Sequence, residues 1–393
     1  MGVNSCGTTL IDEGTFKNIG AVSWDTTAKT AGFTAVAGNG YFVNTTSGAI
    51  TVTLPSSPTA GDTVGIADYA NTADTNNITI GRNGSNIQGV ANDFIINTEG
   101  GTIILTYVDA TKGWLSIDAA QASDIIQPTF ITATGGTVTT SGDYKIHTFT
   151  GPGTFTVSSL ANPAGGPNNI DYLVVAGGGA GGGNKGGGGG AGGYRASGFG
   201  PAPLQGTALP VSVTGYPITI GGGGTYATCS TNNRGASGSN SVFSTITSAG
   251  GGGGAGVFLP AFTGGSGGGQ NHTVGCAGAA GNTPPVSPPQ GNSGSARTSP
   301  IDGGAGGGAT GPGTGNNPGG PGAPNSITGS AVTYSTGGAR GSTAVAPAGS
   351  PAPANSGNGG NGGNNGDPAP APTEYYYGKN GGSGIVRIRY KYQ

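Results

Sequence analysis

The sequence predicts an all-β protein: an N-terminal β-sandwich or jelly-roll-like module, followed by a glycine-rich domain that a second β-sandwich supports. Three observations predict it. Short apolar runs recur between Gly, Pro and Asn turn signals. No stretch carries a convincing helical period. Of 393 residues, 88 are Gly, roughly threefold above a usage of about 7%. Gly loses the most backbone entropy on folding and adds no side chain to a core. Such a chain builds small cores where apolar residues cluster, and something else must order the rest.

The first module spans residues 1–122. Gly38-Asn39-Gly40 is a turn signal before the strand Tyr41-Phe42-Val43-Asn44. Ala49-Ile50-Thr51-Val52-Thr53-Leu54 alternates apolar and polar until Pro55 closes it. Strands are predicted over residues 63–69, 77–81, 94–97 and 102–108. The turn Asp109-Ala110-Thr111-Lys112-Gly113 sends Trp114-Leu115-Ser116-Ile117 back as a hairpin. Residues 1–30 show no obvious strand pattern and are expected to anchor the chain to a larger particle. Residues 123–130 read as a connector.

The second domain, 131–393, alternates two textures. Strands are predicted at 143–149 and 154–158 around the turn Gly151-Pro152-Gly153, then at 172–176, 216–220, 241–247, 331–334 and 385–390. Between them lie glycine runs at 177–193, 250–256, 264–269, 303–322 and 355–366. An isolated glycine run is a flexible linker. These runs are closed by strands on both sides, broken by Ala or Asn rather than charge, and numerous enough to pack on one another. The hypothesis is that they form three-residue helices without internal hydrogen bonds, so that neighbouring runs bond to each other and replace a hydrophobic core. At about 3.1 Å per residue, 177–193 would extend on the order of 50 Å. Collagen is excluded, because Gly313-Thr314-Gly315-Asn316-Asn317-Pro318 breaks the three-residue frame.

Charged residues make up 8% of the chain and the net charge is −2. This argues against nucleic-acid binding, which needs many Lys and Arg on phosphates, and against a polybasic membrane surface. No apolar run is long enough to insert in a bilayer. The first residues show no secretory pattern; a protein without one can still reach the outside when a cell lyses. Cys6, Cys229 and Cys276 are odd in number, which excludes a fully paired intrachain framework and favours free thiols.

Chemistry is weakly signalled. Val174-Val175-Ala176-Gly177-Gly178-Gly179-Ala180-Gly181-Gly182 matches a strand plus GxGxxG. That fingerprint needs a helix starting at the glycines and an acid about twenty residues on. More glycine follows, and no Asp or Glu occurs between Asp171 and Asp302, so no nucleotide cofactor is expected. Lys185 is followed by Gly186, so the P-loop pattern fails as well. His147 alternates as a surface strand residue with a structural role. His272, Cys276 and Cys229 allow three imaginable zinc ligands, but chance is the better account, and no metal is expected. No spacing picks out a carboxylate pair for glycoside hydrolysis. The chain is expected to be non-enzymatic, with no cofactor.

Two aromatic segments stand out as receptor-contact candidates: Phe258, Leu259 and Phe262 between glycine runs, and Tyr375, Tyr376 and Tyr377 before the last strand. Exposed aromatics offer large contact area at low entropy cost. The bland alternative is that they cap the glycine bundle or fill a subunit interface.

The motifs Asp171-Tyr172-Leu173-Val174-Val175-Ala176 with its glycines, Gly192-Gly193-Tyr194-Arg195, Tyr216-Pro217-Ile218-Thr219-Ile220-Gly221 and Gly381-Gly382-Ser383-Gly384-Ile385-Val386-Arg387-Ile388-Arg389-Tyr390 resemble the glycine-rich domain of bacteriophage and marine viral structural proteins. The resemblance covers about residues 140–393. Residues 40–118 resemble a β module of marine phage virion proteins. Related phage adhesins pack polyglycine helices and bind receptors with loops at their tips. The resemblance therefore implies a tail fibre or adhesin on the virion surface, whose partners are other tail or capsid proteins and a host surface glycan or outer-membrane protein. A homotrimer is expected by fibre analogy alone. The competing expectation is an architectural capsid decoration or fibre shaft without receptor binding.

Overall fold

The computed structural model describes residues 22–117, 128–226, 234–271, 277–297, 302–315, 318–342, 350–364 and 377–393, with the backbone of three short N-terminal strands. The chain is all-β and divides into two compact units. Unit 1 is Met1–Phe130 with Ala161–Pro167; unit 2 is Ile131–Leu160 with Asn168–Gln393.

Unit 1 opens with β1 (Val3–Ser5), β2 (Thr8–Asp12) and β3 (Thr15–Phe16), an antiparallel meander. Next come β4 (Ser23–Lys29), β5 (Phe33–Thr34), β6 (Asn39–Val43), β7 (Ile50–Thr53), β8 (Thr63–Asp68) and β9 (Ile78–Gly81). These alternate between two sheets, and β4 to β7 each pair in parallel with the strand two places on. β10 (Phe94–Ile96), β11 (Thr102–Asp109) and β12 (Gly113–Ser116) finish the sheets with antiparallel pairs. The sheet orders are β10-β9-β7-β5 and β12-β11-β8-β6-β4.

Two facing sheets are therefore present, but the jelly-roll expectation gives way to a short coiled, solenoid-like path. Residues 1–30, expected to lack strand pattern, contribute four strands. Inward residues of both sheets share one core, including Val43, Val64, Ile66, Leu105 and Trp114 against Val52, Ile78, Ile80 and Phe94. Gly40 has a steric reason: a Cβ there would lie 2.6 Å from the Trp24 ring on the neighbouring strand.

Unit 2 is built on two sheets. β13 (Thr132–Thr134), β14 (Thr137–Ser141), β15 (Tyr144–Phe149), β16 (Gly153–Ser159), β17 (Asn169–Val175), β18 (Tyr194–Ala196), β19 (Leu209–Pro210), β20 (Gly215–Thr219), β21 (Ser241–Phe243) and β22 (Ile246–Ser248) precede a small hairpin, β23 (Ala323–Asn325) with β24 (Val332–Tyr334). β25 (Ile385–Lys391) comes last and enters between β15 and β17. One sheet runs β13-β16-β20-β21-β22, the other β14-β15-β25-β17-β18.

Phe155 of the first sheet meets Phe243 at 6.2 Å, and His147 and Tyr390 of the second at 5.1 and 6.1 Å. The other face of the second sheet packs Leu173, Val175, Tyr194 and Ile385 against Ala323, Ile327 and Tyr334. Burial on both faces explains why the second half of β17, Tyr172 to Val175, reads as a continuous apolar run.

His147 corrects the sequence reading. It is fully buried rather than on the surface. Its Nδ1 lies 2.7 Å from the Gly135 carbonyl and its Nε2 3.1 Å from the Tyr390 hydroxyl. Burial pulls its pKa below the ordinary histidine value, and the Gly135 contact only partly offsets this.

Candidate functional site

The glycine runs continue directly from these strands. β17 leads into 177–182, which turns at Asn184 and Lys185 (φ 49° and 52°) and returns as 186–193 into β18. The run is thus two antiparallel three-residue helices, not the single extended one anticipated. The period is visible in the hydrogen bonds. Gly177 and Ala180 donate to Ser239 and Ala236; Gly178 and Gly181 to Gly382 and Lys379; Gly179 and Gly182 to Gly190 and Gly187. Each third residue addresses the same neighbour, as three residues per turn requires. Carbonyls of this helix accept from 224, from 251 and 254, and from 360 and 363. Six segments therefore surround it.

Helix 186–193 is enclosed in the same way. Its N–H groups reach 357–363, 249–255 and 304–307, while 338–341, 176–182 and 266–269 donate to its carbonyls. Side chains complete the lattice at its margins. Asn358, Asn361 and Asn364, three residues apart, accept at 2.9, 3.0 and 3.0 Å from the N–H groups of Thr336, Ala339 and Ser342. Since every N–H from 177 to 182 is donated to a carbonyl, none is left to cradle a phosphate at the GxGxxG-like run.

This register sorts the loops. Gly182, Gly186 and Gly187, beside the 183–185 turn, bond to Gly363, Gly341 and Ala255. Gly188 bonds to Gly304 and Gly269, and Lys379 accepts from Gly181. The segments that leave the lattice here are those after 255, 270, 341 and 363 and those before 235, 303 and 378. These segments thus leave at one end of the lattice; β17, β18, β22 and β25 lie at the other, where the connections through Gln290 and Ala309 also run.

Phe258 and Leu259 sit on the 256–259 turn at the loop end, where Leu259 N–H donates to Gly256 O at 3.1 Å. Phe258 is 73% exposed and takes φ 62°, a left-handed conformation that is an outlier for a bulky residue. Leu259 is 40% exposed. Phe262 is half-buried, with the Arg234 guanidinium 3.6 Å from its ring centroid. Tyr377 is half-buried, and its ring meets Tyr226 at 5.9 Å. Tyr375 and Tyr376 lie outside the described residues, as do Cys6, Cys229, His272 and Cys276.

The turn singled out in the sequence is exposed at Phe258 and Leu259, whereas Arg234 and Tyr226, which meet Phe262 and Tyr377, carried no signal. No local pattern could flag them, because their partners come from distant parts of the chain. The Asn ladder did carry a signal, Asn at every third position.

No curated protein matches the chain. A family model described as a glycine-rich domain matches residues 148–391. That span holds the strands from β16 to β25 and the whole glycine lattice, and by it the chain belongs to the glycine-rich domain family.

Proposed function

We propose that the protein is a non-enzymatic virion structural protein, a fibre or adhesin whose glycine lattice presents loops to a host cell surface. One observation carries this reading: backbone hydrogen bonding brings several loops out at one end, and Phe258 is held there 73% exposed in a left-handed conformation. Uncommon backbone geometry at an exposed aromatic belongs to binding sites more than to packing. On this reading the partners are other tail or capsid proteins at unit 1 and a host surface glycan or outer-membrane protein at the loops. The chain acts outside the cell on the particle, as an oligomer.

Adsorption tests it. Labelled protein is incubated with a panel of bacterial cells and competed against infection. Saturable binding is expected, weakened about thirtyfold by Phe258→Ala, the loss of one aromatic anchor worth about 2 kcal/mol. Absence of binding by the folded oligomer across the panel, or full binding by Phe258→Ala, overturns the adhesin reading and favours an architectural role.

A further inference from the structure

The two units carry opposite charge. Unit 1 holds four basic and eleven acidic residues, unit 2 ten basic and five acidic. The small net charge of −2 conceals this split. Strong charge asymmetry between parts of a chain points to a charged partner.

Within unit 2 the basic residues divide by role. Arg389 belongs to the framework, with its guanidinium 4.0 Å from the Tyr144 ring and 4.5 Å from the Phe199 ring. By the register above, Lys185, Arg234, Arg297, Arg340 and Lys379 belong to segments at the loop end. Asp302 precedes the 303 run at the same end, and Asp367 and Glu374 fall outside the described residues. Asp302 is engaged by Arg340 at 2.6 Å. Arg234 makes no ion pair among the described residues. Its guanidinium carbon sits 3.6 Å from the Phe262 ring centroid, and one guanidinium nitrogen donates to the Pro260 carbonyl at 3.4 Å. A guanidinium fixed on a ring keeps a planar fork of donors free at its edge, a fork that matches a carboxylate. The same turn carries the apolar Phe258 and Leu259.

We propose that this turn binds a carboxylated polysaccharide of the cell surface, one bearing uronic acids. Arg234 would take the carboxylate, and the Phe258 ring the apolar face of a sugar. The inference rests on the reading of the loop end as the contact surface and names what it contacts. A single stacked guanidinium flanked by apolar side chains suits a polymer with one acid per sugar and apolar ring faces between. A phosphate-rich surface would draw on the other basic residues of the loop end as well, as nucleic-acid phosphates do, and a phosphorylated glycan is therefore the competing arm of the test.

The test is binding of the full chain to alginate, a polyuronate, with neutral dextran and a phosphorylated lipopolysaccharide as the other arms. Saturable alginate binding that weakens with salt is expected. Arg234→Ala should weaken it at least about tenfold, the low end for hydrogen bonds to a charged group. Arg234→Lys should recover only part, because charge without the planar fork is not equivalent. Lys112→Ala, in unit 1, should leave binding unchanged. Thermal midpoints show whether each variant is folded. Equal binding to dextran, preference for the phosphorylated glycan, or indifference to Arg234→Ala in a folded chain overturns the proposal. No alginate binding by a chain that still adsorbs to cells overturns the uronate and leaves the loop-end reading standing. Failure of both removes both.

Discussion

Gly189→Ala puts the lattice to its most direct test. Gly189 donates to Gly360 at 2.8 Å and accepts from Gly338 at 2.8 Å. A Cβ built on it would lie 2.6 Å from the carbonyl carbon of Gly179 and closer still to that oxygen. The obstacle is backbone, so no side chain can turn aside. Room can come only by pushing 177–182 away, which strains the Gly179-to-Gly190 bond beside it. Overpacking costs about 1–3 kcal/mol, and each buried amide left unpaired adds about 1–3 kcal/mol. The stiffer unfolded chain returns about 0.4–1 kcal/mol. The net is a destabilisation of about 3 kcal/mol within a span of about 1–5 kcal/mol, which lowers the thermal midpoint of a unit this size by on the order of 10 °C. Calorimetry of the full chain reads it. Gly222→Ala is the matched control: its Cβ would meet nothing within 4 Å, and its effect should stay within about 0.5 kcal/mol. Equal midpoints for the two variants would refute the claim that backbone contact, rather than glycine content, orders the runs.

Other outcomes follow from the same contacts. Amide exchange across 177–193 should be strongly slowed, and free-peptide rates there would contradict an ordered lattice. Asn361→Leu removes the acceptor for Ala339 N–H and should cost about 1–3 kcal/mol, read as a lower denaturant midpoint; no change would mean that water replaces the side chain. Because the folded-state pKa of His147 is lowered, the unfolded chain binds its proton more readily. The neutral ring's contribution is full above pH 6.5 and is lost as pH falls through the folded value. The thermal midpoint should therefore drop on acidification below pH 6.5, by less in His147→Gln; parallel pH profiles would rule out His147 as the source.

Strand positions were legible where alternation was clear, as at Ile50–Thr53, Ile78–Gly81 and Thr102–Asp109. Their partners were not. A period of two shows which face is buried, but not whether the neighbour runs parallel, so a coiled path read as a jelly roll. β4 escaped notice because Ser23–Lys29 is mostly polar and only half-buried. His147 was misplaced for a related reason: it lies in β15 beside β25 and β17, where both faces of the sheet are covered, so alternation there no longer separates core from solvent. The glycine runs gave the opposite lesson. Their closure by strands and their Asn and Ala interruptions did announce packing, because a side chain fits only at particular points of such a lattice. Ala180, Ala191 and Ala255 occupy three of them. The stacking of Arg234 on Phe262 depends on how loops converge, which no local pattern encodes.

The passage of strands straight into glycine helices has a mechanical consequence. A pull on the 183–185 turn along the lattice axis reaches β17 and β18 through unbroken backbone. The hydrogen bonds of 177–182 and 186–193 lie across that axis, so they are loaded side by side in shear rather than peeled one at a time. Rupture then requires many bonds to fail together. A chain with few large side chains can in this way bear tension applied at its loop end.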